Sequence, residues 1–277
     1  MRGKRKGPGL VPLRVAVIAY LLLLLVGPVT LVFARAFEKG IGEAWTAITS
    51  AAALHALEYT LLMAAIAVPL NAVFGVGAAL LLARGPKWLR APLGALVSLP
   101  FAVPPVVIGL ALLLLFGRTG WLGPTFADAG IQILFSWPGM VIATVFISLP
   151  FVAREVVPVL RELGTDAEEA AGTLGATPWQ TFRKITLPAI FPAVAYGVVL
   201  TTARAIGEFG AVSVVSGRVL GETQTLPIFV EDRVSEFDPV AAYSASVVLA
   251  LLALVVLSLM LRLQKRKEIA WRSTPAV

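Results

Sequence analysis

The sequence of 277 residues contains no cysteine and only one histidine, His55. Without cysteine, the chain can have no disulfide framework, no iron–sulfur cluster and no thiolate nucleophile. A single histidine excludes a histidine-rich metal site. The G-x-x-x-x-G-K-[ST] loop that cradles ATP phosphates is also missing. We therefore predict that this chain is not an enzyme and binds no metal or cofactor of its own.

Charged residues are scarce as well, at 14% of the sequence, whereas 58% is hydrophobic and the mean hydropathy is +0.88. A soluble domain carries about 25% charged residues. This composition excludes an ordinary soluble enzyme, and it also excludes a disordered scaffold, which needs low hydrophobicity. The net charge of +7 could suggest nucleic acid, but in a membrane protein such an excess marks cytoplasmic loops. We predict the lipid bilayer, and not nucleic acid, as a partner.

Long uncharged runs are what the sequence does contain. About 20 apolar residues cross a hydrocarbon core of about 30 Å as a helix, because backbone polar groups in lipid must pair within their own segment. Five unbroken runs meet that length, and a sixth is interrupted only by two charges. The runs are Val15–Phe33, Tyr59–Ala83, Ala91–Gly117, Ile131–Ala153, Ala189–Gly217 and Val240–Leu261. We predict an all-α, polytopic membrane protein in which residues 1–277 form one domain of six transmembrane helices.

The distribution of positive charge predicts the orientation. Seventeen of the 23 Lys and Arg residues lie on one side of the predicted spans and five on the other. The positive-inside rule then places both termini in the cytoplasm, as basic tails at 1–12 and 264–277, together with the loop 154–188. The first run could instead be a cleaved secretory signal. Its 19 residues exceed the usual 7–15-residue apolar region, which favours a retained anchor and a multi-pass protein of the cytoplasmic (inner) membrane.

The segment 164–188 within the cytoplasmic loop carries two sets of helix-capping signals. Thr165 and Glu168 have the spacing of a capping box, and the acidic first turn suits the positive end of a helix dipole. Gly175 is then expected to end the helix as the residue after its C-cap.

A second short helix is predicted directly after this turn. Thr177 and Gln180 form another capping box, and Pro188 is expected to end the helix at the next span. Trp179 and Phe182 lie three residues apart and so share one face. The alternatives at this point are a docking element for another protein and a plain pair of connector helices.

One motif favours docking. Glu169-Ala170-Ala171, Gly175 and Ile185-Thr186-Leu187-Pro188 match every defined position of E-A-A-x3-G-x9-I-x-L-P, and so the chain resembles the permeases of ABC importers. The resemblance implies the type I (MetI-like) permease fold and a coupling helix that fits a groove on a partner ATPase, which would use the ATP and Mg. The coupling residues it implies are Glu169, Ala170, Ala171, Gly175, Ile185, Leu187 and Pro188. Gly175 would supply the turn, while Ile185 and Leu187 would anchor the loop to the bundle.

Further segments are similar to the W-type subunit of the sulfate/thiosulfate permease family, namely 98–101, 201–217 and 221–227. This similarity implies inward transport of sulfate or thiosulfate by alternating access, with a second homologous permease, two ATPase subunits and an extracytoplasmic sulfate-binding protein. Related molybdate and tungstate permeases share Gly207-Glu208-Phe209-Gly210, so those anions remain an alternative. A secondary transporter driven by an ion gradient is a further alternative, for which only Glu208 offers a titratable group in a span.

Arg204 and Glu208 are the charges inside the predicted spans. An arginine at the centre of a membrane helix costs roughly 2.5–3.5 kcal/mol, so both groups should face the protein interior or a water-filled path. They could form an ion pair that locks helix packing. Alternatively, Arg204 could attract an oxyanion along the pathway while Glu208 limits its grip, with Gly207 and Gly210 allowing the span to bend.

Prolines point to irregular backbone in the third span. Proline removes an amide, and a nearby hydroxyl such as that of Ser98 can satisfy the carbonyl that is freed near Pro100. Pro104 weakens the same span again. Because irregular backbone at membrane depth is tolerated where it lines a cavity, Ser98, Pro100 and Pro104 join Arg204 and Glu208 as candidate pathway residues; fixed kinks are the alternative. Gly75-Val76-Gly77 predicts close helix packing.

Overall fold

The computed structural model describes the backbone of residues 10–272 and the side chains of residues 12–262, and all regular structure in that range is helical. The helices in chain order are α1 (Leu10–Ala36), α2 (Ile41–Ile48), α3 (Ala51–Arg84), α4 (Lys87–Ala102), α5 (Pro105–Phe116), α6 (Gly123–Asp128), α7 (Trp137–Leu163), α8 (Asp166–Thr173), α9 (Pro178–Thr181), a π-helical turn (Phe182–Thr186), α10 (Leu187–Ile206), α11 (Gly210–Val215), α12 (Leu226–Ser235) and α13 (Pro239–Arg272). In the predicted basic tails, residues 1–9 and 273–277 lie outside the described residues, whereas 264–272 continue α13.

Five of these helical segments are long and apolar enough to cross a membrane, and α4 and α5 together supply a sixth span if the bent pair counts as one. The prediction of a straight third span over Ala91–Gly117 is therefore wrong, since α4 and α5 meet at an angle of 113°. Pro104 and Pro105 explain the break. A residue before a proline is driven out of the helical region, and Val103 is extended, with φ −102° and ψ 129°.

The fourth predicted span is misplaced at both ends. It was expected over Ile131–Ala153, but α7 begins at Trp137 and continues to Leu163. Phe135 has a positive φ of 56°, which stops a regular helix from starting earlier. At the other end the charged residues from Arg154 onward continue the helix, so the first ten residues of the predicted loop 154–188 are an extension of α7.

The expectation that Pro188 ends a separate second helix is also wrong. Helical backbone runs without interruption from Pro178 to Ile206, through the π-helical turn. In that turn the N–H of Leu187 donates to the carbonyl of Phe182, five residues earlier. This shift of hydrogen-bond register absorbs the proline, because Pro188 brings no N–H that would need an acceptor. The fifth predicted span, Ala189–Gly217, is interrupted as well: α10 ends at Ile206 and α11 starts at Gly210, so the helix ends next to Gly207, where a bend was one of the alternatives.

Helices α3, α7 and α10 pack pairwise around a shared apolar core that includes Val76, Val152 and Ile190. The close packing predicted for Gly75 is confirmed: a Cβ atom there would lie 2.6 Å from Cβ of Val152. At Gly197 on α10 it would lie 2.8 Å from Cα of the same valine. Close packing at Gly77 is not confirmed, because nothing lies within 4 Å of a Cβ at that position.

These two glycines of α3 therefore give a matched pair of variants. We expect Gly75→Val to lower the free energy of unfolding by about 1–3 kcal/mol, the usual cost of overpacking a tight core. Gly77→Val makes the same chemical change in open space and should leave stability nearly unchanged. Thermal unfolding of the purified protein in detergent measures both. Equal midpoints for the two variants would contradict the packing assigned to Gly75.

Candidate functional site

The end of α8 forms a tight glycine turn. The N–H of Gly175 donates to the carbonyl of Gly172 and the N–H of Ala176 to that of Ala171, both at 3.0 Å. Gly175 has a φ of +82°, a left-handed conformation that costs a residue with a Cβ roughly 1–2 kcal/mol. This pair of bonds is the Schellman motif, and it confirms Gly175 as the residue after the C-cap.

The start of α8 differs from the prediction. No side-chain cap forms at Thr165, whose backbone is helical at φ −113° and ψ −4°, whereas an N-cap usually needs an extended backbone. The Thr165 hydroxyl instead donates to Oε1 of Glu169 at 2.6 Å. The capping box expected between Thr165 and Glu168 is therefore wrong.

Glu168 makes tertiary contacts in place of a cap. Its Oε1 accepts a hydrogen bond from the Thr186 hydroxyl at 2.8 Å, and its Oε2 lies 3.3 Å from Nε of Arg84. The Arg84 guanidinium also donates to the carbonyl oxygen of Gly164. One half-buried cluster thus ties α8 to the ends of α3 and α7 and to the π-helical turn.

The second capping box is confirmed. The Thr177 hydroxyl accepts from the N–H of Gln180 at 3.3 Å, while the Gln180 side chain accepts from the N–H of Thr177 at 2.9 Å. The rings of Trp179 and Phe182 stack with centroids 5.6 Å apart, as their shared face predicted. We call residues 164–188, from the end of α7 to the start of α10, the elbow.

The elbow exposes apolar side chains at its tip. Leu174 is 89% exposed and Trp179 is 67% exposed. Of the motif residues, Glu169, Ala170, Gly175 and Pro188 are exposed, Ile185 is half-buried and Ala171 is buried. Leu187 packs against the core shared by α3, α7 and α10. Sequence reasoning missed Leu174, although a leucine directly before a helix-ending glycine on a polar loop could have signalled it.

The membrane part of the candidate site centres on Arg204 and Glu208. Nη2 of Arg204 lies 2.6 Å from Oε2 of Glu208, whose side chain is only 1% exposed against 31% for Arg204. The other carboxylate oxygen accepts from the N–H of Ala211 at 3.0 Å, at the start of α11. The predicted ion pair is therefore present, and it bridges the break between α10 and α11.

A cleft of about 340 Å³ opens beside this pair at the bend between α4 and α5. Its lining includes Arg204, Pro100 and Pro104, three of the predicted pathway residues. Ser98 is not part of the lining. Phe101 and Phe151 also line the cleft, and no sequence pattern singles these two out, because phenylalanine is common in apolar spans.

An arginine lies next to the cleft on the aromatic side. The guanidinium carbon of Arg154 is 4.3 Å from the ring centroid of Phe101, within the range of a cation–π contact. That ring in turn meets Phe151 edge-on, with centroids 5.3 Å apart. Sequence reasoning counted Arg154 only as a topogenic charge and missed this contact.

Comparison with known proteins places this arrangement in a family. Residues 72–269 match the family model of the binding-protein-dependent transport system inner membrane component. The chain is 53% identical over 247 residues to the sulfate transport system permease protein CysW of Synechocystis sp., covering 89% of this chain and 90% of that protein. It is 40% identical over 241 residues to the sulfate transport system permease protein CysT of Escherichia coli K12, covering 87% of each.

A solved structure shows the same fold. A chain of a bacterial ABC transporter that imports the acidic polysaccharide alginate superposes with a TM-score of 0.76, at 18% identity and with 96% of both chains covered. This likeness confirms the predicted type I ABC importer permease fold. Together, the matched family model, the elbow with its motif and the two permease relatives show that the chain belongs to the binding-protein-dependent transport system inner membrane components, as a multi-pass ABC importer permease of the sulfate permease family.

Proposed function

We propose that this chain is a permease subunit through which an ATP-driven importer moves sulfate or thiosulfate across the inner membrane by alternating access. The observation that carries the proposal is the 53% identity to a sulfate transport permease along nearly the whole of both chains. ATP is bound and hydrolysed by a partner, since the sequence has no phosphate-binding loop. The family's own description supports a substrate-binding protein on the outer side.

The elbow is the surface that receives the ATPase. Leu174 and Trp179 offer large apolar side chains to solvent on a polar loop, a combination that marks an interaction site. Glu169 is exposed beside them and adds a charge for a partner to pair with. Seventeen of the 23 Lys and Arg residues lie on the same side of the predicted spans as the elbow. By the positive-inside rule, this side, with both termini, is the cytoplasm, where ATP is available.

A second permease completes the pathway. The chain is similar to both the CysW and the CysT permeases, which supports a pair made of two related but different subunits. Arg204 is partly exposed to the cleft beside the broken helices, and a sulfate dianion needs compensating positive charge in a low-dielectric path. We assign Arg204, Pro100 and Pro104 to that path.

Uptake by the reconstituted complex tests the proposal. The permease pair, the ATPase and the binding protein are placed in proteoliposomes, and labelled sulfate is supplied with ATP inside, beside a control that lacks this chain. We expect ATP-dependent accumulation that unlabelled thiosulfate suppresses. Accumulation of labelled molybdate or tungstate, with no accumulation of sulfate, would show that the proposed substrate is wrong. Accumulation driven by an ion gradient without ATP would overturn the ABC mechanism itself.

A further inference from the structure

Arg204 and Arg154 lie at two heights in the bundle. The contact between Gly197 on α10 and Val152 on α7 gives a common reference level for the two helices. With a rise of about 1.5 Å per residue, Arg204 lies roughly 10 Å from that level, away from the elbow. Arg154 lies roughly 3 Å from it, on the elbow side, by the same rise. The two guanidinium groups therefore belong to levels about 14 Å apart along the bundle.

The two phenylalanines lie between these levels. Phe151 directly precedes Val152, and its ring meets Phe101 edge-on. Phe101 is the next-to-last residue of α4, just before the 113° bend that the prolines impose. The aromatic pair thus forms one wall of the cleft that Arg204 also lines, and an anion that leaves Arg204 toward the elbow meets these rings first.

The two arginines differ in how their charge is compensated. Arg204 is paired with the buried carboxylate of Glu208, which weakens its hold on an anion. Among the described side chains 12–262, no carboxylate lies within ion-pair distance of Arg154, and its guanidinium rests on the Phe101 ring. A cation–π contact leaves N–H donors of the guanidinium for an oxyanion, which this planar fork can hold with two parallel hydrogen bonds.

The exposure of this face supports a role in transport. Phe101 and Arg154 are both exposed on the same side of the bundle, and Arg154 follows the last uncharged residue of the fourth apolar run. A charged group at such a depth faces water or protein in preference to lipid. A transport path also needs sites that bind strongly enough for entry and weakly enough for release, which two separated and unequal arginines provide.

We infer that Phe101 is a gate in the permeation path and that Arg154 is a second oxyanion contact on its cytoplasmic side. An anion leaves the partly neutralised Arg204, passes the ring of Phe101 when α4 moves, and is received by Arg154 before release. This inference rests on the proposed function, because it takes the transported ion to be an oxyanion.

Leakage tests the gate. Proteoliposomes are preloaded with labelled sulfate and arrested in two states, without nucleotide and with a partner ATPase variant that binds ATP but does not hydrolyse it. We expect Phe101→Ala to lose trapped sulfate in one of these states, while the wild type retains it in both. Phe74→Ala removes an exposed phenylalanine of α3 outside the cleft lining and should retain sulfate. Full retention by Phe101→Ala in both states would overturn the gate.

Transport per ATP hydrolysed tests the second contact. The Arg154→Gln variant loses a charge-assisted hydrogen bond to the anion, so we expect it to move about tenfold less sulfate per ATP hydrolysed than the wild type. Stimulation of its ATP hydrolysis by the loaded binding protein should stay close to the wild-type level. Arg161→Gln, which removes another exposed arginine from α7, serves as the control and should keep the wild-type ratio. Equal ratios for these two variants would overturn the role of Arg154.

Failure of the proposed function would look different. If the wild-type complex moves sulfate but the variants behave like their controls, only the gate and its arginine are wrong. If the wild-type complex moves molybdate instead of sulfate, the same variants and controls are measured with labelled molybdate. Leakage by Phe101→Ala and a lower transport ratio for Arg154→Gln then support the gate and the second contact, and values equal to those of the controls overturn them. A wild-type complex that moves none of these oxyanions overturns the proposed function and this inference together.

Discussion

Replacing Arg204 with methionine should both destabilise the protein and stop transport. The Glu208 side chain is 1% exposed, so removal of its partner leaves an uncompensated buried carboxylate. Breaking a buried ion pair in this way costs about 3–5 kcal/mol. We expect a clearly lower thermal midpoint in detergent and less protein in the membrane, with no sulfate uptake by the complex that is recovered.

A double variant separates the two interpretations of this pair. In Arg204→Met with Glu208→Gln, both charges are gone, and the glutamine oxygen can still accept from the N–H of Ala211, as Glu208 does at 3.0 Å. Stability should therefore recover most of the loss, because no buried charge remains unpaired. Sulfate uptake should stay lost, since the cleft has lost its positive group.

Uptake by this double variant is the decisive measurement. If the folded double variant transports sulfate at the wild-type rate, the pair only locks α10 to α11 and Arg204 has no part in the pathway. Glu208→Gln alone is the companion control. It leaves Arg204 with its positive charge undiminished, and this side chain is 31% exposed, so we expect a smaller loss of stability than for Arg204→Met and a protein that holds the anion more strongly and releases it more slowly.

Glu169→Lys should uncouple the permease from its ATPase while leaving the membrane fold intact. Glu169 is exposed, and the hydrogen bond that it accepts comes from Thr165 within the elbow itself. Reversing a charge at a docking surface costs about 2–5 kcal/mol when the charge is paired in the complex, which is more than tenfold in affinity. We expect normal insertion and thermal stability but no stimulation of ATP hydrolysis by the loaded binding protein.

Asp166→Lys is the matched control for this change. Asp166 is also exposed and also lies in the first turn of α8, so the lysine disturbs the helix dipole to a similar degree. Asp166 lies outside the motif, and this variant should keep most of the stimulation. If Glu169→Lys is stimulated as well as the wild type, the elbow does not transmit the signal through this residue.

Local sequence patterns predicted the membrane helices and the turns of the elbow well. Hydropathy located the five long membrane helices and the apolar stretch of the bent pair α4 and α5, and the signals at Gly175 and at Thr177 with Gln180 gave the correct caps. Such features depend on residues within one or two helical turns of each other, so they can be read along the chain. The error at Thr165 arose because Glu168 contacts tertiary partners, and the error at Pro188 arose because a π-helical shift of hydrogen-bond register lets the helix continue.

Glu168 shows why the local pattern was not enough. Its spacing from Thr165 fits a capping box, yet its carboxylate bonds Arg84 and Thr186, which come from distant parts of the sequence. An ion pair together with a hydrogen bond from a hydroxyl outweighs a single bond to one backbone amide. No spacing rule within α8 contains that information.

The sequence by itself determined the class of molecule, the five long membrane helices and the residues of the motif, because each follows from composition or from short-range spacing. The tertiary structure decided which of these residues meet: Glu168 with Arg84, Arg204 with the bend at Pro104, and Phe101 with Arg154. Those contacts depend on how α3, α4, α7 and α10 cross. These crossings depend on the shapes of the packed residues, such as the fit of Gly75 and Gly197 against Val152. Hydropathy along the chain does not specify that fit.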